Sequence, residues 1–213
     1  MPIAIDIIEN TVYIAEGNVT AGGVEIHKSD EIRLPEGTVE DGDIKNRSAL
    51  VTSISKILKA HSFKSKSAVV TFTSSMAITR RLSLPFGKMK EIAGMVKNQI
   101  AQSVGDPADY VFEFSFAGGE KVKSSEIDVW AFAIEKELVD KYYSIFKSIK
   151  LRPAALDIHP NCIQKAIQGS TINGQDLNGK STLFVDIERE FVEIHLFNGY
   201  MREFSRIAPV SAS

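Results

Sequence analysis

The chain has 213 residues, 44% hydrophobic and 24% charged, with a formal net charge of −2. That balance fits one or two folded domains with a sizeable core, and it supplies no field for steering nucleic acid. No apolar run approaches the ~20 residues of a membrane span, and no secretory pattern opens the chain. The single cysteine, Cys162, excludes an internal disulfide and suits a reducing, cytoplasmic compartment.

Taken in order, residues 3–6 and 12–15 read as a first hairpin, and residues 24–27 as a further strand beyond the break at Gly17 and Ala21-Gly22-Gly23. Asp41-Gly42 is turn chemistry. Asn46 is placed to cap a helix whose Leu50, Ile54, Ile57 and Leu58 share one face and which stops near His61. Residues 62–67 read as a solvated basic loop. Residues 68–72 form a continuous apolar run, the pattern of a strand buried on both faces.

The character changes after Ser75. Residues 78–84 alternate, with Ile78, Arg80, Leu82 and Leu84 on one side, and Pro85 ends the run. Met89, Ile92, Val96 and Ile100 predict an amphipathic helix. Tyr110, Phe112, Phe114 and Phe116 line one face of a strand, with a turn at Gly118-Gly119, and residues 127–134 return. A helix resumes through Leu138, Tyr142, Ile145, Phe146 and Ile149. Residues 76–134 thus read as a β-α-β-β insert. A short helix over 162–167 leads to a three-strand meander at 181–206.

In that meander Val192, Ile194 and Leu196 alternate with Glu193 and His195, which reads as an aliphatic face turned to a core. Asn198-Gly199 predicts a type I′ turn with positive φ at both central residues. Asp6-Ile7, Val12 and Ile14 recur as Asp186-Ile187, Val192 and Ile194 at a constant offset, so each end of the chain delivers an aspartate from a strand into a turn. The apolar faces of the C-terminal hairpin need cover, across a dimer contact or against the first half.

Other chemistries are weaker. Asp157, His159 and Cys162 form D-x-H-x-x-C, but structural zinc needs four ligands in paired spacing, and a buried cysteine on an apolar helix face accounts for it better. His27, His61 and His195 read as isolated strand or surface residues. No nucleophile elbow, Walker lysine loop or His-Glu-x-x-His occurs. The aromatics of 110–116 lack the interleaved basic residues of a nucleic-acid stacking platform.

The segments AIDIIENTVYIAEG, LPEGTVEDGDIKN, SAVVTFTSSMAITRRLSLP, NQIAQSVGDPADYVFEFSF, LDIHPNCIQKAI and FVDIEREFVEIHLFNGYMREFSR together resemble the actin-like ATPase superfamily and, within it, the PilM family of type IV pilus assembly. The resemblance implies an α/β, actin-like (ribonuclease H-like) fold. Residues 1–75 and 135–150 would form the first subdomain, 76–134 an insert of the type shared with FtsA, and 151–213 the start of a second half that is incomplete. It implies that Asp6 and Asp186 would orient a Mg²⁺–ATP complex. However, Ile8 stands where the family's first loop has glycine, and Glu188 and Glu190 lie in the second. A branched residue forced into the left-handed region costs about 1–2 kcal/mol, and the acids add repulsion. The cofactor site therefore reads as degenerate, and the chain as a non-catalytic scaffold rather than an enzyme.

The resemblance further implies a PilN-like membrane-protein tail as partner, bound between the first subdomain and the insert, with Ile78, Arg80, Leu82, Phe112 and Phe114 as contact residues. Motor ATPases of the pilus and a second copy of the chain are further partners of that reading, which places the protein at the inner face of the cytoplasmic membrane. An active actin-like ATPase, an FtsA-like division protein, and a sugar or acetate kinase of the same superfamily are the alternatives.

Overall fold

The computed structural model describes residues 2–20, 23–117, 125–168, 171–188 and 191–210. In chain order the elements are β1 (Ile3–Ile8), β2 (Thr11–Thr20), β3 (Gly23–Arg33), β4 (Val39–Glu40), β5 (Asp43–Ile44), α1 (Arg47–Ala60), β6 (Ser67–Phe72), β7 (Ile78–Pro85), α2 (Met89–Ile100), β8 (Tyr110–Phe116), β9 (Glu126–Glu135), α3 (Lys136–Ser148), β10 (Arg152–Ile158), α4 (His159–Ile167), β11 (Thr171–Ile172), β12 (Gln175–Asp176), β13 (Ser181–Ile187), β14 (Phe191–Asn198) and β15 (Met201–Pro209). They fall into two compact units, residues 1–76 with 134–159 and residues 77–133 with 160–213. No helix among the described residues is long and apolar enough to cross a membrane.

The first unit is a five-stranded sheet in the order β10-β6-β1-β2-β3. β1, β6 and β10 run parallel, and β2 and β3 complete the sheet antiparallel. Ile3, Ile5, Ile7, Val12, Ile14, Val70 and Phe72 are buried, as are Leu50, Ile54 and Ile57 of α1 and Leu138, Tyr142, Ile145 and Phe146 of α3. Asn46 caps α1 through Oδ1, which accepts from the Ala49 N–H at 3.1 Å, and the helix ends at His61. Residues 151–158, assigned from sequence to the second half, instead supply β10, because their apolar run pairs in parallel with β6. Similarly, the insert and the C-terminal meander, read as separate subdomains, fall in the same compact unit.

Beneath the sheet, the β4–β5 hairpin is tied to α3. The Asp43 carboxylate takes Lys45 Nζ at 2.8 Å and Lys141 Nζ at 3.0 Å. The hydrogen bond from Lys45 does most to hold this carboxyl below the ordinary range, Lys141 reinforces it, and partial burial opposes both. A carboxyl depressed in the folded state contributes stability above its unfolded-state pKa, and that contribution disappears as pH falls through the folded-state value. Asp43→Asn is therefore expected to lower stability at neutral pH and to leave it unchanged in strong acid. Urea midpoints measured from pH 7 downward test this, and parallel pH profiles for the two proteins would contradict it.

In the second unit, β7-β9-β8 form an antiparallel-paired sheet covered on one face by α2. Leu84, Ile127, Val129, Ala131 and Ala133 are buried there against Ile92, Val96 and Ile100. The opposite face carries Arg81, Asp128, Trp130 and Phe132. Arg81 pairs with Asp128 at 2.8 Å and with Glu203 of β15. Arg202 is fully buried, its guanidinium 4.3 Å from the centre of the Trp130 ring, and Trp130 Nε1 donates to the Arg202 carbonyl at 3.1 Å.

β13-β14-β15 make a second three-stranded sheet in this unit. The offset noted in the sequence is real at the level of register: Asp6↔Tyr13 and Ile7↔Val12 recur as Asp186↔Glu193 and Ile187↔Val192. Two expectations about the meander fail. First, its faces are inverted. Phe191, Glu193, His195 and Phe197 are buried, whereas Leu183, Val185 and Ile187 are 58%, 49% and 75% exposed. The interior of this unit is built for polar groups: His195 Nδ1 lies 3.0 Å from Ser205 Oγ and its Nε2 lies 3.4 Å from Glu193. Phe197 packs with Ile167 and Leu177 beside them. His195 is thus a bonded interior residue, not an isolated one, and the aliphatic side is the open one.

Second, the turn is shifted by one residue. Asn198 pairs with Met201, so Gly199 and Tyr200 are the central pair and only Gly199, at φ 59°, has positive φ. This is the glycine-first pattern of a type II′ turn. A register irregularity at Leu196/Phe197 accompanies it. The expected turn at Gly118-Gly119 lies outside the described residues.

Candidate functional site

The first unit brings its polar groups to the carboxyl ends of three parallel strands. The registers Asp6↔Thr71 and Thr71↔Asp157 set these side chains in one row across β1, β6 and β10. Alternation puts the row on the face opposite the buried Ile5, Ile7, Val70 and Phe72. A hollow of about 410 Å³ opens beside it, lined by Ala4, Asp6, Tyr13, Ala15, Val69 and Thr71. Such ends of parallel strands are where open α/β sheets place ligands.

Asp6 is already engaged. Thr71 Oγ1 donates to its Oδ1 at 2.6 Å, and His159 Nε2 stands 3.5 Å from its Oδ2. The turn that follows does not suit a polyphosphate. Ile8 is in the strand, paired with Thr11 and only 6% exposed, and the positive φ falls on Glu9 at 47°. The backbone strain expected at Ile8 is therefore not incurred, since the register gives the apex to Glu9. That apex presents an acid where a phosphate needs bare N–H groups.

Asp186 lies in the second unit on β13, half-buried and directly opposite the fully buried Glu193. The Glu188 N–H is taken by the Phe191 carbonyl at 2.9 Å, and Glu190 lies outside the described residues. Asp157, His159 and Cys162 do not converge as a three-ligand set among the described residues. Cys162 is half-buried rather than buried, because α4 begins at His159 and turns Asn161, Gln164 and Ile167 inward.

The five partner-binding candidates all lie in the second unit. Ile78, Leu82, Phe112 and Phe114 converge on the core cluster beneath α2, where each is half-buried. They support the sheet more than they offer a free surface. Arg80, between Ile78 and Leu82 on β7, is exposed. Among the described residues β7 pairs with β9 alone, so its outer edge presents backbone donors and acceptors.

The sequence reading missed the buried Glu193, His195 and Arg202 and the half-buried Ser205 that bonds His195. The alternation of charge at 193 and 195 carried the signal but was read as an outward face.

A family model described as type IV pilus assembly protein PilM matches residues 4–206. Comparison with curated proteins finds no match. Among solved structures, the PilM–PilN type IV pilus biogenesis complex matches with a TM-score of 0.83 at 17% identity, covering 99% of this chain and 62% of that one. The cytoplasmic domain of EpsL, an inner membrane component of the type II secretion system of Vibrio cholerae, matches with a TM-score of 0.54 at 11% identity, covering 98% and 70%. At these identities the likeness is one of fold, the actin-like α/β fold, and the chain spans under two thirds of the length of the PilM it matches. The match over residues 4–206 rests on the sequence itself, and by it the chain belongs to the PilM family of type IV pilus assembly proteins.

Proposed function

We propose that this chain is an actin-like scaffold of type IV pilus assembly that holds the short tail of a membrane-anchored, PilN-like partner and has no working nucleotide site. The observation that carries the reading is the fold match over 99% of the chain to a PilM solved with PilN. The open edge of β7 suits it physically: an extended tail adds to such an edge through backbone hydrogen bonds, and side chains at alternate positions give selectivity. The exposed guanidinium of Arg80 on that strand favours a tail with an acidic group near its hydrophobic anchors. Recruitment to the inner face of the cytoplasmic membrane, and contact with the motor ATPases, would follow from the partner.

The test is fluorescence anisotropy with the labelled tail. Binding is expected below about 100 μM, a free energy of roughly −5.5 kcal/mol. Arg80→Glu is expected to weaken it about tenfold and to remove most of its salt dependence. No binding at that concentration would sink the reading. Binding indifferent to Arg80 would leave the scaffold role standing and move the tail elsewhere.

The nucleotide part is separable. Isothermal titration with Mg–ATP is expected to give no binding heat up to about millimolar, where the free energy is only about −4 kcal/mol. Micromolar binding would restore the active-ATPase reading.

A further inference from the structure

At the far end of β7 the chain turns into α2 through Phe86, Gly87 and Lys88. Phe86 and Met89 are 67% and 59% exposed. These apolar side chains are not on a loose segment. The Phe86 N–H donates to the Ser125 carbonyl at 2.9 Å, and the Lys88 N–H to Glu91 Oε2 at 2.8 Å, so the backbone is pinned on both sides of Gly87.

Met89 is the exposed first member of the stripe that Ile92, Val96 and Ile100 continue into the core, and lysines flank it. Ile92, Val96 and Ile100 face the core, leaving Lys90, Ala93, Gly94, Lys97 and Asn98 outward. On α2 and its cap Lys88, Lys90 and Lys97 stand beside one acid, Glu91, whose carboxylate is occupied by the cap; Lys97 lies over the Phe112 ring, and Glu126 lies opposite Pro85 on the neighbouring strand. In a chain of net charge −2, this basic face with an apolar wedge at its end is a local exception.

We propose that this end of the unit rests on an anionic lipid surface, with Phe86 and Met89 entering the headgroup boundary and Lys88 and Lys90 meeting the charge. A surface helix with apolar residues beside lysines binds a bilayer by these two terms together. Two side chains and two lysines make a weak, reversible contact, suited to a protein that a second attachment already holds nearby. The contact uses neither the edge of β7 nor Arg80, so it stands or falls separately from tail binding.

The experiment is flotation of the whole chain with vesicles of phosphatidylcholine alone or with about one third phosphatidylglycerol. The chain is expected to float with the anionic vesicles at least about tenfold more than with the neutral ones, and less as salt rises. Phe86→Ser with Met89→Ser, and separately Lys88→Glu with Lys90→Glu, are each expected to lower flotation about tenfold. Unchanged circular dichroism melting would show that these exposed positions leave the fold intact. Absence of flotation with anionic vesicles at about millimolar lipid overturns the proposal, as does equal flotation with neutral ones. Loss in the lysine variant with none in the Phe86/Met89 variant also overturns it and assigns the face to an acidic protein.

Discussion

Gly42→Ala is expected to destabilise the first unit by about 3 kcal/mol, summing a left-handed penalty and an overpacking penalty. Gly42 sits at φ 75° in the β4–β5 turn, and a Cβ there would meet Ser74 Cβ and the Thr73 carbonyl oxygen, each at 2.7 Å. Neither obstacle is the far end of a flexible chain. The Gly42 carbonyl also accepts from Tyr142 Oη at 2.8 Å, and Tyr142 stacks on Phe72 with ring centres 4.8 Å apart. Relief of the clash must therefore displace the end of β6 or α3. Because Thr71 on β6 holds Asp6, the Asp6 row should loosen with it. Urea unfolding measures the loss, and a change under about 1 kcal/mol would mean the turn yields freely.

The second large effect is expected at Trp130. Trp130→Ala should cost about 3–5 kcal/mol, the range for removing a buried aromatic. The indole is 8% exposed, lies against the buried Arg202 guanidinium and donates to the Arg202 carbonyl. Truncation opens a cavity, ends the cation–π contact and strips a backbone acceptor of its donor. Trp130→Phe keeps the ring face and should lose roughly 1–2 kcal/mol, mainly through the missing N–H. Equal losses for the two variants would show that the ring does not hold Arg202. Circular dichroism is the readout, since Trp130 is the chain's one tryptophan.

Much of the fold was legible because its signals were local. Asn46 marked the start of α1 through a side-chain acceptor, and the apolar spacing of α1, α2 and α3 gave their inward faces, except at Met89, which the first turn of α2 leaves 59% exposed. The repeat of Asp6 and Asp186 was visible because register follows strand spacing. What was not legible depends on tertiary partners. Period-two alternation identifies β14 as a strand but does not say which side meets the interior, and the structure buries Glu193 and His195, the latter bonded to Ser205 on the neighbouring strand. The turn at Gly199 moved because register, not the Asn-Gly pair, fixed its position. At the Asp6 row the sequence expectation placed the strained backbone at Ile8, whereas the register keeps Ile8 in the strand and gives the positive φ to Glu9. Thr71, which holds Asp6, is 65 residues away in sequence and announced itself by no motif.

Amide hydrogen exchange on the whole chain, with and without the tail of a PilN-like partner, tests the scaffold reading most directly. An added strand would satisfy the outward backbone groups of β7. Saturating tail is therefore expected to slow exchange about tenfold or more in Ile78–Pro85, with little change in the central strand β1, whose edges β2 and β6 already occupy. Exchange of β7 that is unchanged under saturating tail would contradict the placement on that edge, and a tail that alters exchange nowhere in the chain would contradict the scaffold function itself.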